Sequence, residues 1–492
     1  MAAWYEPVIM RLFWLGFPIM THSRLSEGGT EIYHRMLETA GNAPTHPRPS
    51  PIAVRKPTPG GPRPVSRGRY IHAMSTLTAA AIAEPFDERF ARAARLLSSV
   101  ESTERIAGVT MLAGLGDRQP EGRSQCAEFL CHYLRAKPTG CDAPKRPMEP
   151  GENAVRNAIA AALCRRLVLD ASPSWSDTPL DFRGAILGDH AIFDFARLTG
   201  PELFRGAVFT GVASFFGATF ECRADVADGE FDPEIDTRLC TAPDDVNGLP
   251  PVPLGRSVRE AVFRGAIFMG AANFAGSTFL GNGNFSGTVF EDTADFTEAR
   301  FHAHAAFVNT TFLGRALFHG CAVAQNLHFV ITHFHQGIDL TAVQARDWLT
   351  FTHAKIDGTA DLSLATIVQL SLDEAEFGGE VNLGHAEISY LEGTGVTFRQ
   401  SVSAPYAAIS VGHLRDSQFM GVVNFDDARI GEVADGEPET VSFAGTVFAA
   451  DPVARLAEGS VTPDAPGVTQ EGFSVTWRVR KQSEPKKRGR HE

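Results

Sequence analysis

Seven histidines crowd the interval from 302 to 353: His302, His304, His319, His328, His333, His335 and His353. Imidazole is a ligand for zinc, nickel or copper and titrates near neutrality, so this density raises metal binding or proton transfer first. Neighbouring carboxylates at Glu291/Asp292, Asp373/Glu374 and Asp426/Asp427 are the types that divide general-acid and general-base work. Cys126 and Cys131 add two thiols five residues apart, the raw material of redox chemistry. The sequence has no G-x-x-x-x-G-K-[ST] loop to cradle phosphate and no G-x-S-x-G elbow to present a nucleophilic serine. Whether the remaining groups can converge depends on the elements that hold them.

Those elements announce themselves through a repeat between 182 and 448. Phe182, Phe193, Phe204, Phe215 and Val226 are spaced by 11, and Leu187, Leu198, Phe209, Phe220 and Phe231 keep the same step five residues behind. Residues 232–258 read as an insertion, after which the lattice restarts at Phe263, Phe274, Phe285, Phe296, Phe307, Phe318 and Phe329, then Leu340, Phe351 and Leu362. Its companions are Phe268, Phe279, Phe290, Phe301, Phe312, Val323, Phe334, Ala345, Ile356 and Ile367. A 3.6-residue helix would drift off this lattice and scatter the rings around its surface. Small residues such as Ala266, Ala272, Ser277, Thr288 and Ala294 stand two before the anchors. Alternation in an extended segment then points both the small and the large side chain inward and the residue between them outward. Glycines two after many anchors (Gly265, Gly270, Gly276, Gly281, Gly287, Gly314, Gly320) are expected to supply positive φ at tight corners.

Segments such as AVFRGAIFMGAANFAGSTF (261–279) resemble the pentapeptide-repeat proteins, and the resemblance covers about 267 of the 492 residues. It implies a mainly β fold, a right-handed quadrilateral β-solenoid of bacterial type, with Phe263, Phe268, Phe274, Phe279, Phe285, Phe290, Phe296, Phe301, Phe307, Phe312, Phe318 and Phe329 as core anchors. Every second unit carries one extra residue, so a four-sided coil takes 22 residues rather than 20. Beyond 367 the steps become mixed fives and sixes, and the cross-section is expected to change there. About four anchors per coil give roughly 11 coils and a rod on the order of 50 Å long.

The exposed ends of such a rod need covers. Between 86 and 169 the pattern is helical: FDERFARAARLLSSV sets Phe86, Phe90, Ala93, Ala94 and Leu97 on one face, and three similar segments follow. We therefore expect a small α-helical domain at 74–175 capping the solenoid of 176–448, with a C-terminal cap and basic tail at 449–492. Residues 1–73 include a Pro/Arg-rich stretch (43–72) that cannot bury enough apolar surface to fold. They read as a disordered extension, with Met74 an alternative translation start.

On this lattice the histidines all take outward positions. Metal ligation across coils would stack them at 22 residues, yet His302 leads to Ala324, His304 to Asn326 and His333 to Lys355, so scattered surface imidazoles and no metal site are expected. The paired carboxylates sit at corners and point apart, and Cys126/Cys131 read as helix packing. A solenoid filled with rings offers a convex exterior and no concavity for catalysis, so neither a catalytic residue nor a cofactor is expected.

Charge sets the partner. The formal net charge is −13, but residues 181–448 hold 35 Asp and Glu against 15 Arg and Lys, leaving the flanks net basic. An acidic body does not bind nucleic acid directly. The function expected is a non-enzymatic scaffold whose outer face binds a protein. The family resemblance adds an alternative, a DNA-mimicking modulator of a type II topoisomerase, against which the stretch 301–338 carries a single formal charge, Arg315. A third alternative is an enzyme with its site in the helical segment or the insertion. Seven cysteines without a CxxC pair favour reduced thiols and a cytoplasmic location. The apolar run Val8–Met20 is too short to cross a bilayer, leaving membrane association through 1–73 as a minor possibility.

Overall fold

The computed structural model describes residues 84–138, 148–168, 170–200, 203–221, 260–434 and 437–480. Four helices lead: α1 (Phe86–Leu97), α2 (Ser102–Arg118), α3 (Arg123–Arg135) and α4 (Pro150–Leu167). The apolar stripe of α1 buries Ala93 and Leu97 and sets Phe86 and Phe90 against the same core, as its spacing requires. Gly108 of α2 lets that helix approach closely, since a Cβ there would stand 2.6 Å from the Leu97 backbone nitrogen.

The helices close the first coil of a parallel β-solenoid of about eleven turns. Its first edge would leave backbone groups unpaired, and side chains of α4 satisfy them. The Asn153 carbonyl oxygen accepts from the Asp189 amide (2.8 Å), that of Asn157 accepts from His190 (3.2 Å), and Arg156 donates to the Ile186 carbonyl (2.6 Å). Arg156 also donates to the carbonyls of Leu134 and Ala136 and to the Glu152 carboxylate, so one buried guanidinium fastens α3, α4 and the first strand together.

Each turn contributes short strands to four parallel ladders. Ladder I starts at Ile186–Leu187 and Val208–Phe209, ladder II at His190–Ile192 and Val212–Ser214, ladder III at Arg197–Leu198 and Thr219–Phe220, and ladder IV at Glu260–Val262 and Asn282–Asn284. The register is 22 residues, as in Val289↔Thr311 and Ala294↔Ala316. The anchors fill the interior as columns. Phe263, Phe285 and Phe307 stack nearly parallel at 4.8 Å, and Phe274, Phe296 and Phe318 form a second column at the same spacing. Between columns the rings meet edge to face, at 5.1 Å for Phe285 and Phe296, the arrangement that aromatic quadrupoles favour. The inward row two residues before the anchors is buried, and its threonines are satisfied: Thr288 donates to the Phe263 carbonyl (2.9 Å) and Thr310 to that of Phe285 (2.8 Å).

Three expectations are corrected or sharpened. Val226 and Phe231 lie outside the described residues, and the next places on their columns belong to Phe263 and Phe268, which stack on Phe204 and Phe209 at 5.2 and 4.5 Å. Positive φ recurs after the anchors that precede a five-residue step, as at Gly265, Gly276, Gly287 and Gly320. Gly270 and Gly314 serve the wider corners instead, where a Cβ would collide with the neighbouring coil at 2.6 Å from Gly211 and 2.3 Å from Asp292. The cross-section changes where the sequence steps become irregular. Ala345 pairs with Ile367 but Trp348 pairs with Gln369, so one residue drops out and the register falls to 21, as in Ile356↔Phe377. Ladders III and IV fuse into single strands at Gln344–Thr350, Thr366–Ser371, Glu387–Thr394 and Ala408–Arg415. At the far end Trp477 packs on Phe425 and Phe443 at 5.3 and 5.2 Å.

Candidate functional site

Among the described residues the interior of the coils is filled by apolar side chains. A cavity of about 40 Å³ with a wholly apolar lining lies in the 21-residue coils between Leu383, Leu414 and Phe425. Many outward Asn and Asp side chains are committed to the fold, because each caps its own corner by accepting from the amide two residues on. Asn273 does so for Ala275, Asp295 for Thr297, Asp339 for Thr341 and Asp361 for Ser363, all at 2.9 Å.

In two of the carboxylate pairs each carboxylate has a principal partner, and Arg480 reaches both Asp426 and Asp427. Asp373 accepts from the Thr394 amide at 2.8 Å while Glu374 lies 3.2 Å from His353 Nδ1. Asp426 pairs with Arg455 at 2.7 Å and Asp427 with Arg480 at 2.8 Å. No general acid–base pair forms from either. Cys126 and Cys131 are buried in α3, and burial pushes both thiols up to about 11, the opposite of a reactive thiolate. In the helical segment Glu152 sits between Arg105, Arg156 and the Tyr133 hydroxyl, a network that Arg156 ties to backbone carbonyls. These are the bonds of a structural rivet.

The histidines divide into three groups. His302, His319 and His353 are exposed, in their expected places. His328 is not: only 8% of its surface is accessible, and burial together with the neighbouring His304 ring holds its imidazole down at about 4. Its outward row, Asn284–Ala306–His328–Thr350–Ser371, runs along ladder IV with strands in direct register. Side chains on adjacent parallel strands stand about 4.8 Å apart and shield one another, so Asn284 and Ser371 are buried as well. An outward position is thus not always a wet one. His304 lies beside it with ring centroids 6.3 Å apart and accepts from the Asn326 amide at 3.3 Å.

The third group converges. His333 and His335 flank the anchor Phe334 on ladder I, and Asp357 lies one coil on. His333 Nε2 is 2.7 Å and His335 Nδ1 3.6 Å from the same carboxylate oxygen of Asp357, and the Lys355 ammonium lies 3.3 Å from the other. His333, His335 and Asp357 are the residues that could hold a metal ion: all three ligand atoms lie within 4.8 Å of one another. The 22-residue step from His335 to Asp357 was the available signal. A search for histidine above histidine overlooks it, because the third donor is a carboxylate.

Large apolar side chains also reach the surface at corners. Phe195 and Phe216 meet edge to face at 5.4 Å on the first coils, and Tyr406 stacks on His385 at 5.0 Å further along. Both Phe195 and Tyr406 are more than half exposed, at 53% and 58%. Among the described residues no helix is long and apolar enough to cross a membrane.

Residues 263–311 match the family model for pentapeptide repeats, in nine copies. That stretch is the part of the rod in which rings fill every coil. No curated protein and no solved structure matches the chain.

Proposed function

We propose that this chain, a pentapeptide-repeat protein, is a non-enzymatic scaffold that binds a protein partner along the outer face of its solenoid. The observation that carries the reading is the placement of its side chains. Rings and small apolar residues occupy the interior, outward amides and carboxylates cap corners, and the large apolar groups left over, Phe195, Phe216, Leu364 and Tyr406, stand at corners in water. Exposed aromatic groups on a rigid frame suit protein recognition, since they bury much area at little conformational cost. Free thiols at Cys126, Cys131, Cys164 and Cys321 agree with a reducing, cytoplasmic setting.

The test is affinity purification from the native host with wild-type bait beside Phe216→Glu and Tyr406→Glu baits of unchanged thermal stability. A protein retained in stoichiometric amount by the wild type and lost on one of the variants supports the reading. Identical retention on all three baits removes it.

The acid excess of residues 181–448, 35 against 15, favours a second reading, mimicry of DNA toward a type II topoisomerase. Inhibition of gyrase supercoiling by the purified protein would support it, and absence of effect at stoichiometric excess would remove it. The nearly uncharged stretch 301–338 interrupts any continuous line of mimicked phosphates and places this reading second.

A further inference from the structure

We propose that His333, His335 and Asp357 form a zinc-class binding site on the outer face of ladder I. Alternate residues of an extended strand project to one side, so the two imidazoles flanking Phe334 point the same way. The in-register neighbour of His335 supplies the carboxylate. Tetrahedral zinc, with bonds of about 2.0–2.2 Å to imidazole and carboxylate, sets its ligand atoms roughly 3.4 Å apart. The observed separations from the Asp357 oxygen, 2.7 Å to His333 Nε2 and 3.6 Å to His335 Nδ1, bracket that edge. Small rotations about exposed side-chain bonds complete it, while the backbone is held by hydrogen bonds on both sides, from His333 to the Thr310 carbonyl and from Lys355 to that of Thr332 (2.9 Å each).

Two imidazoles and one carboxylate form the donor set of an open zinc site, with the fourth position left for water or a partner's donor. Binding requires the lone pairs of His333 Nε2 and His335 Nδ1, so each ring carries its proton on its other nitrogen. The ion would take the place of the 2.7 Å contact between His333 Nε2 and the Asp357 carboxylate. Lys355 opposes it by charge. Its side chain is about half exposed, 49%, and can swing into water at the cost of its contact with Asp357. The bound ion would tie the coil of Phe334 to the coil of Ile356 immediately before the register shortens.

The test uses the full, tag-free chain, stripped with chelator and titrated with zinc by calorimetry near pH 7.5. His333→Ala, His335→Ala and Asp357→Asn should each weaken binding by roughly tenfold or more, whereas His319→Ala, an exposed histidine outside the cluster, should leave it unchanged. Lys355→Met should tighten it several-fold, a gain that a merely structural ion-pair network would not give. Equal zinc binding by the wild type and a His333→Ala/His335→Ala double variant would overturn the proposal, as would a wild type that binds none. These side chains are outside the core, so the variants are expected to fold, and far-ultraviolet circular dichroism checks that they do.

Discussion

The solenoid is two rods in series, and the seam between them is a single residue. From Phe263 to Phe351 each coil takes 22 residues, and most of its anchors are phenylalanines stacked face to face along the axis and edge to face across it. Beyond Ile367 the coils take 21 as far as Ile430, two ladders run as one, and the columns thin out. The column Phe296–Phe318 continues as Leu340, Leu362, Leu383 and Ala404, and the column Phe329–Phe351 continues as Leu372, Gly393 and Leu414. Side chains from neighbours fill the place of Gly393, since a Cβ there would stand 2.8 Å from Val396 and 2.9 Å from Leu414. Ala404 has no such substitute, and Leu383 and Phe425 on either side of it both line the apolar cavity. Interior volume and perimeter go together: rings hold four sides apart, and where they give way to smaller anchors one corner straightens.

The comparison breaks most visibly if the rings are not what holds the first rod. Phe296 meets five other rings, Phe274 and Phe318 at 4.8 Å, Phe285 and Phe307 at 5.1 and 5.2 Å, and Phe290 at 6.1 Å. Phe296→Ala should cost about 3–5 kcal/mol. Leu383→Ala, at a partly buried anchor of the second rod, should cost about 2 kcal/mol, near the lower end of the range for such truncations. Because a repeat array can open in segments, hydrogen exchange read coil by coil is the measurement. Equal losses of protection in both rods would show that ring packing does not distinguish them.

Acid should separate the two rods next. His328 is buried neutral in the first, with His304 the titratable group beside it. Its folded value, about 4, lies below the ordinary 6.5. The unfolded chain therefore binds the proton first, and the stability contributed is complete above pH 6.5 and lost as pH falls toward 4. The loss is at most of order 3 kcal/mol. In the second rod Glu392 is shifted the other way: burial and the nearby Asp373 charge raise its carboxyl, so the folded state gains relative stability as pH falls through that range. Exchange between pH 7 and 4.5 should open the coils around His328 before those around Glu392. His328→Gln should abolish the difference if this imidazole causes it.

How much of this was legible in the sequence follows from which contacts are periodic. Phe263 to Ile367 could be placed inside or outside from spacing alone, because a parallel ladder copies every position at one fixed step. The irregular steps after Ile367 likewise marked the changed cross-section. What is not periodic stayed hidden. His328 is outward by phase yet buried by its neighbours, a property of a whole row. Gly270 looked like Gly265 but serves a close approach between coils, which depends on the backbone of the neighbouring coil at Gly211. Arg156 lies on α4, and three of its partners are backbone carbonyls at 134, 136 and 186, which no side-chain pattern records. The site at His333 was half visible: the lattice relates His335 to Asp357, and only rotamers reveal that His333 reaches the same oxygen.

The smallest expected effect is also the sharpest comparison, because one substitution should change sign between the rods. Ala294 is fully buried on ladder II, in register with Ala272 and Ala316 and close to the stacked column of Phe274, Phe296 and Phe318. Two added carbons in Ala294→Val must push rings off their stacking positions, at about 1–3 kcal/mol. Ala404 is just as buried, but it occupies an anchor place between Leu383 and Phe425, both of which face the cavity of about 40 Å³. An apolar cavity of this kind offers water no partners, so methyl groups entering it regain dispersion contacts at no cost in desolvation. Ala404→Val should therefore stabilise by about 1 kcal/mol, read as increased exchange protection from Leu383 to Phe425. If Ala404→Val destabilises as Ala294→Val does, the second rod is as tightly filled as the first, and the lost residue at Ile367–Gln369 needs a cause other than thinner columns.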